Sequence, residues 1–152
     1  MIAFFGLTLA ASLLGSRFSK KAPKRPWYRL LRKAPQNPPP WVFGVVWPAL
    51  YSLIAWSGAR AWKKRDKAAL ALWGLQLASN AAWSPIFFGA HKSRLALADL
   101  ALTGASAAAY TARVAPKDRW AALAMAPYLG WLAFASKLNA DIVRKNPRFL
   151  AG

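Results

Sequence analysis

The sequence has no cysteine and no glutamate, and its 152 residues include one histidine and only four acidic side chains. The absence of cysteine excludes disulfide bonds and thiol catalysis. With so few acids, paired-carboxylate catalysis has no obvious candidates. The sequence also shows no metal-ligand cluster and no glycine-rich phosphate loop. We therefore expect neither a catalytic centre of these kinds nor a bound metal or cofactor.

Long apolar stretches, by contrast, are abundant. Hydrophobic residues make up 57% of the chain, and residues 68–90 carry no charge at all. Because about 20 apolar residues in a helix cross the ~30 Å hydrocarbon core of a bilayer, this stretch alone can span a membrane. The sequence therefore predicts an integral membrane protein rather than a very basic soluble domain.

Five such stretches predict an all-α fold, a bundle of five transmembrane helices forming one domain over residues 1–152. The predicted helices cover about 2–18, 41–62, 68–88, 94–113 and 117–144, with a basic, proline-rich linker at 19–40. We expect a short interfacial helix around Trp27–Arg32 within that linker. Strands are disfavoured because the runs are long, rich in Ala and Leu, and do not alternate. The first segment lacks a basic region before its apolar core, so we expect a retained helix rather than a cleaved signal peptide.

The net charge of +18 comes from basic residues that flank the apolar segments instead of forming one stripe. This arrangement favours contact with anionic lipid head groups over nucleic-acid binding. With five spans, the linker and the C-terminus share the more basic face. The positive-inside rule then places both in the cytoplasm, and we expect a bacterial envelope as the location.

Two ionisable residues fall inside predicted spans, where such groups are costly and often functional. Asp99 is either a functional group or a residue near the interface that pairs with Arg94 or Lys92 or caps a neighbouring helix. Lys137 either extends to the interface or faces a cavity. His91 lies at a helix–loop boundary, and we expect a solvated loop residue there.

Aromatic residues share helix faces with small and amide residues on three of the segments. These faces carry Trp47 and Tyr51; Gln76, Asn80, Trp83 and Phe87; and Trp131, Ala135, Leu138 and Asn139. If the faces converge, they line an aromatic-walled pocket suited to a flat hydrophobic ligand. The alternative is ordinary core packing combined with interfacial tryptophan belts.

Small residues recur at helix-packing spacing on two segments. Gly74, Ala78 and Ala82 share one face, and Ala101, Ala105 and Ala109 share another. Such spacing lets helix backbones approach closely, either within the bundle or across a dimer seam.

Several longer motifs carry a family resemblance over nearly the whole chain. They include Asn37-Pro-Pro-Pro-Trp41-Val-Phe-Gly-Val-Val-Trp47 with Leu50-Tyr51, Gln76-Leu-Ala-Ser-Asn80-Ala-Ala-Trp83-Ser-Pro-Ile-Phe-Phe-Gly89, and Pro127-Tyr-Leu-Gly-Trp131-Leu-Ala-Phe-Ala135-Ser-Lys-Leu138-Asn139. Shorter matches lie at 6–9, 27–28 and 96–100. In these residues the chain resembles the TspO/MBR family, the translocator proteins once called peripheral-type benzodiazepine receptors.

The resemblance implies a five-helix bundle, usually dimeric, that binds porphyrins such as protoporphyrin IX and haem, and isoquinoline or benzodiazepine-type drugs. It also implies a set of pocket residues, with the linker as a lid over them. The pocket residues carried over are Trp47, Asn80, Trp83, Trp131, Ala135 and Leu138, with Trp41 and Tyr51 as neighbours and Trp27 and Tyr28 near the mouth. The family's dimer seam would correspond to Gly74, Ala78 and Ala82.

The chain also departs from the family pattern. Leu95 replaces a tryptophan common in animal members, and Ala140 replaces the tyrosine of the animal cholesterol motif, which weakens a sterol assignment. The linker is unusually basic, which suggests attraction of porphyrin propionates to Lys24, Arg25 or Arg29.

We predict a porphyrin-binding protein with a transport or tetrapyrrole-regulatory role rather than an enzyme. The alternatives are light-dependent porphyrin degradation through Trp47 and Trp131, sterol binding, or a structural protein whose aromatic residues only pack.

Overall fold

A computed structural model describes residues 1–20, 24–33 and 35–147. Residues 21–23 and 34 of the predicted linker, and residues 148–152 of the predicted cytoplasmic tail, lie outside the described residues. The described part is all-helical, as predicted, and contains six α-helices rather than five. They are α1 (Ile2–Ser19), α2 (Pro26–Leu30), α3 (Pro40–Lys63), α4 (Lys67–Ser84), α5 (Ser93–Val114) and α6 (Arg119–Lys145). The extra helix is α2, which lies within the predicted linker where an interfacial helix was expected.

Three of the helices are long and apolar enough to cross a membrane, namely α3, α5 and α6. Helix α1 is apolar but shorter, with its apolar part at Ile2–Phe18. In α4 the apolar character is diluted by Gln76, Ser79 and Asn80, which face the interior of the bundle or its aromatic cluster. The membrane-crossing character is therefore uneven among the helices.

The predicted third segment divides into α4 and a π-helical turn at Pro85–Gly89. Pro85 has no backbone N–H and cannot continue the α-helical hydrogen-bond pattern. The Ala90 amide donates to the Pro85 carbonyl at 2.9 Å, an i→i+5 bond that widens the turn. Phe87 and Phe88 are both buried on this turn, so the wider turn places two aromatic rings in the interior.

The core lies where α3, α4, α5 and α6 pack together, with α1 against α3 and α4. Its largest fully buried side chains include Tyr110, Tyr128 and Ile54. The Ser57 hydroxyl joins α3 to α6 by donating to the Ala121 carbonyl at 2.8 Å, and it also bonds the Tyr110 hydroxyl at 2.8 Å. Buried polar groups need hydrogen-bond partners, and these hydroxyls find theirs only when α3, α5 and α6 are neighbours. The bonds therefore favour this arrangement of the three helices.

Aspartates cap two helices at the same end of the bundle. Asp66 accepts a hydrogen bond from the Ala69 amide at the start of α4, and Asp118 accepts from the Ala121 amide at the start of α6. The Asp66 carboxylate also pairs with Arg113 at 2.8 Å and Lys117 at 2.6 Å. The α3–α4 loop is thereby held against the α5–α6 loop.

These contacts predict acid sensitivity of the fold. The pKa of Asp66 lies well below its ordinary value because Lys117, the Ala69 amide and Arg113 bind its charged form. Arg60, in the same way, lowers the pKa of Asp118. A carboxyl with a depressed folded-state pKa stabilises the fold above its unfolded pKa of about 4, and that stability is lost as pH falls through the folded pKa. We expect the thermal unfolding temperature in detergent to fall progressively below about pH 4.

The matched variant is Asp66→Asn, which keeps a capping side chain but loses the charge. We expect Asp66→Asn to be less stable than the parent chain at neutral pH and to show a weaker loss of stability in acid. An acid profile identical to that of the parent would show that Asp66 does not carry this dependence.

Candidate ligand-binding site

Aromatic faces of α3 and α6 meet inside the bundle. Trp47 stacks on Tyr51 with ring centroids 5.3 Å apart, and its ring is nearly perpendicular to that of Trp131, at 6.1 Å and 82°. Phe43 meets Trp131 edge-on at 5.6 Å. Trp47, Tyr51 and Trp131 are all partly buried against the core. The structure therefore brings together the aromatic residues of the first and third predicted stripes.

Asn80 links these two helices to α4. Its side-chain oxygen accepts from the Tyr51 hydroxyl, and its amide nitrogen donates to the Tyr128 hydroxyl, both at 2.8 Å. Tyr128 is fully buried, and our sequence reasoning missed it. The helical spacing could have identified it, because Tyr128 precedes Trp131 by three residues and so lies on the same face of α6.

A second amide holds Trp83 and ties α6 to the start of α5. The Asn139 side-chain oxygen accepts from the Trp83 indole N–H at 3.1 Å, and its amide nitrogen donates to the Ser93 carbonyl at 2.9 Å. Trp83 also stacks on Phe87, with centroids 4.9 Å apart and ring planes 15° apart. Two of the three predicted amides, Asn80 and Asn139, are thus engaged in positioning aromatic residues. The third, Gln76, is fully buried, and its side-chain amide has no hydrogen-bond partner among the described residues.

Helix α2 covers this aromatic cluster at the end where the π-helical turn lies. The ring centroids of Trp27 and Phe87 are 5.6 Å apart, and those of Tyr28 and Phe88 are 5.5 Å apart. Trp27 also stacks on His91 at 4.3 Å, so the exposed histidine of the loop is a contact of the linker. Burial raises the pKa of Tyr28, partly offset by a hydrogen bond with Asn37, and its phenol stays neutral at physiological pH.

Hydrogen bonds fix the linker at two points that our sequence reasoning did not identify. Arg25 Nη1 donates to the Phe88 carbonyl of the π-helical turn at 2.6 Å. The Arg32 amide donates to the Asn146 side-chain oxygen at 2.9 Å, and Asn146 returns a bond from its amide nitrogen to the Arg32 carbonyl at 3.0 Å. No sequence signal marked Asn146, because it follows the last apolar segment.

Other predicted site residues have different surroundings. Ala135 is partly buried against the core, and Leu138 is buried. Trp41 is 70% exposed and makes no ring contact among the described residues, so the structure places it apart from the aromatic cluster. At the predicted seam Ala78 is exposed, and Gly74 and Ala82 are partly exposed.

The indole N–H of Trp131 is buried and has no acceptor among the described residues. Buried tryptophans usually find a hydrogen-bond partner for this group. The indole N–H of Trp83, in contrast, has its partner in Asn139. Trp131 therefore carries a buried hydrogen-bond donor that the described part of the protein leaves without an acceptor.

The two ionisable residues of the spans have defined partners. The Asp99 carboxylate accepts from the Ser79 hydroxyl at 2.7 Å, and Thr103 donates to Ser79 at 2.7 Å. Neither Arg94 nor Lys92 pairs with Asp99 within the described ranges. The Lys137 side chain is 58% exposed and its Nζ lies 3.9 Å from a carboxylate oxygen of Asp141, so it faces away from the interior of the bundle.

Apolar helices around an aromatic and amide cluster define an integral membrane protein of the helical-bundle class. A family model described as TspO/MBR family matches residues 4–144. The chain is 42% identical to the translocator protein of Homo sapiens, over 97% of this chain and 92% of the relative. It is 35% identical to the tryptophan-rich protein TspO of Chlorobaculum tepidum, over 93% of this chain and 92% of the relative. It is 37% identical to the tryptophan-rich sensory protein of Cereibacter sphaeroides, over 79% of this chain and 77% of the relative. The chain belongs to the TspO/MBR family, which confirms the resemblance found in its motifs.

Proposed function

We propose that this protein is a membrane receptor or translocator that binds porphyrins, such as protoporphyrin IX and haem, inside its helix bundle. Its role would lie in transport or in tetrapyrrole regulation. The names of its relatives, translocator and sensory protein, support the broad role. The observation that carries the ligand-binding proposal is the indole N–H of Trp131, which is buried within an aromatic cluster and has no partner among the described residues.

The chemistry of the cluster supports a flat, largely apolar ligand. Trp47, Tyr51 and Trp131 present both ring faces and ring edges, which favour stacked and perpendicular contacts with another π-system. The Asn80 amide is used by two tyrosines, so it stiffens the wall of the site rather than binding the ligand. A hydrophobic ligand with few acceptors fits this donor set better than a polar one.

Ligand entry would involve the linker. Trp47 and Trp131 contact each other directly, so a ligand that inserts between α3 and α6 must separate their rings. Helix α2 covers Phe87 and Phe88 at the nearby end of the bundle. We propose that α2 acts as the lid, and that Arg25 and Asn146 set how firmly it closes.

The salt dependence of porphyrin affinity tests whether the charged side chains of the linker contribute to binding. Lys24 and Arg29 are exposed, whereas Arg25 is engaged with the Phe88 carbonyl. Attraction between these side chains and the two porphyrin propionates is screened by salt, with a Debye length of about 10 Å at 0.1 M falling to about 3 Å at 1 M. We expect protoporphyrin IX affinity to fall several-fold between low and high salt. An affinity that does not change would refute the role of the linker charges.

The assembly of the protein is also part of the proposal. We propose five membrane-crossing helices, α1 and α3–α6, with the linker and C-terminus in the cytoplasm of a bacterial envelope. We further propose a homodimer with its seam on α4. A side chain added at Gly74 would meet nothing within 4 Å, and Ala78 is exposed, so this face of small residues is open to a second copy.

A further inference from the structure

A basic cleft lies at the end of the bundle opposite the linker and serves no purpose in the proposed porphyrin site. It has a volume of about 210 Å³ and is lined by Arg60, Lys63, Lys64 and Asp118. Arg60 and Lys63 are in the last turn of α3, Lys64 is its C-cap, and Asp118 caps the start of α6. The cleft thus lies in the gap between two helix ends.

Arg60 is held rigidly in this cleft. Its Nε donates to one Asp118 oxygen at 2.7 Å and its Nη2 to the other at 3.1 Å. Its guanidinium also lies over the Trp56 ring, 4.8 Å from the centroid. Both oxygens of the Asp118 carboxylate bond Arg60, and one also accepts from the Ala121 amide. Because its charge is already paired with Arg60, Asp118 does not balance the charges of the neighbouring lysines.

Lys63 and Lys64 are exposed, and their side chains form no ion pair among the described residues. The cleft therefore carries two positive charges that the protein does not balance. Two long lysine side chains beside a fixed guanidinium form a binding arrangement for a phosphate group. The lysines act as point charges, and Arg60, whose Nε and Nη2 bond Asp118, holds one edge of the cleft.

Two exposed tryptophans near the cleft indicate the level at which it would lie in a bilayer. Trp62 is 62% exposed and lies next to Lys63, and Trp120 is 55% exposed and lies two residues after Asp118. The Arg119 guanidinium is 5.0 Å from the Trp120 ring centroid. Tryptophans and basic residues at helix ends favour the level of the lipid head groups, so the cleft opens where lipid phosphates are concentrated.

We infer that the cleft lined by Arg60, Lys63 and Lys64 is a binding site for the head group of an anionic phospholipid. Basic pockets between transmembrane helices on the cytoplasmic side bind anionic head groups. The proposed topology puts this cleft on the opposite side, where the same chemistry applies to any leaflet that holds an anionic phospholipid. The site is distinct from a general attraction of the whole basic surface to the membrane, because it depends on two particular lysines beside a fixed arginine.

Native mass spectrometry of the full chain in detergent tests this inference, with phosphatidylglycerol and phosphatidylcholine of the same short acyl chains as probes. We expect the parent chain to bind phosphatidylglycerol preferentially. Since a basic side chain near an anionic surface contributes roughly five-fold in affinity, Lys63→Gln/Lys64→Gln is expected to reduce phosphatidylglycerol binding roughly 25-fold. Phosphatidylcholine binding should hardly change.

The matched control is Arg65→Gln/Lys67→Gln, which removes the same charge at the same end of the bundle but outside the cleft. We expect it to weaken phosphatidylglycerol binding by less than about five-fold. Equal losses in the two double variants, or no preference for phosphatidylglycerol in the parent chain, would overturn the inference. Binding of inorganic phosphate as tightly as phosphatidylglycerol would also overturn it, because the rest of the lipid would then contribute nothing to recognition. Circular dichroism of each variant checks that the helices are retained.

Discussion

Replacing Trp131 by alanine is expected to weaken protoporphyrin IX binding by about 1–3 kcal/mol, or roughly 5- to 150-fold in Kd. The loss arises because the substitution removes one aromatic wall, in contact with Trp47 and Phe43, together with the unpartnered indole donor. The bundle should remain folded, since Trp131 is only partly buried. The measurement is a porphyrin titration of the parent and variant chains in the same detergent.

Two further variants make this test specific. Trp131→Phe keeps an aromatic ring but removes the N–H, and we expect a smaller loss of about 0.5–1.5 kcal/mol, the usual net value of a hydrogen bond. Trp120→Ala removes an indole that is 55% exposed, far from the cluster, and should leave affinity unchanged. If Trp131→Ala binds porphyrin as tightly as Trp120→Ala, the ligand does not occupy this cluster.

The second large effect concerns stability. Gly58→Ala is expected to destabilise the bundle by roughly 2–4 kcal/mol, through overpacking and the loss of a buried hydrogen bond. A Cβ atom at this position would lie 2.5 Å from Trp73 Nε1 and 2.9 Å from Phe4 Cδ1. Trp73 cannot move aside freely, because its indole N–H donates to the Ile54 carbonyl at 2.9 Å and its side chain is buried. Thermal unfolding in detergent measures the change.

Gly104→Ala is the control for helix propensity. A Cβ at Gly104 meets nothing within 4 Å, so alanine there should stabilise α5 by up to about 1 kcal/mol. We expect the unfolding temperature to fall for Gly58→Ala and to hold or rise for Gly104→Ala. If the two variants unfold at the same temperature, the absence of a side chain at Gly58 is not needed for α3 to pack closely against Trp73.

Hydropathy predicted the all-helical class because a stretch long enough to cross lipid must form its own backbone hydrogen bonds. The same reasoning could not predict the π-helical turn at Pro85–Gly89. The turn depends on a missing proline N–H and on the burial of Phe87 and Phe88, and the second of these is a property of tertiary packing. The close fit at Gly58 was hidden for a similar reason, since Phe4 and Trp73 reach it from two other helices.

The candidate site was predictable wherever its residues follow helical periodicity. Trp47 and Tyr51 are four residues apart, and the structure stacks their rings. The contacts that hold the linker were not predictable, because Arg25 bonds a backbone carbonyl 63 positions away and Asn146 bonds a residue 114 positions away. Side chains that act on distant backbone leave no local pattern in a sequence.

Titration of protoporphyrin IX into the purified protein, followed by tryptophan fluorescence, tests the central proposal most directly. We expect saturable quenching in the parent chain, because Trp47, Trp83 and Trp131 lie in or beside the proposed site. Quenching at saturation should be smaller in Trp131→Ala than in Trp120→Ala. A parent chain whose fluorescence shows no saturable response to protoporphyrin IX would contradict the proposal that the aromatic cluster binds a porphyrin.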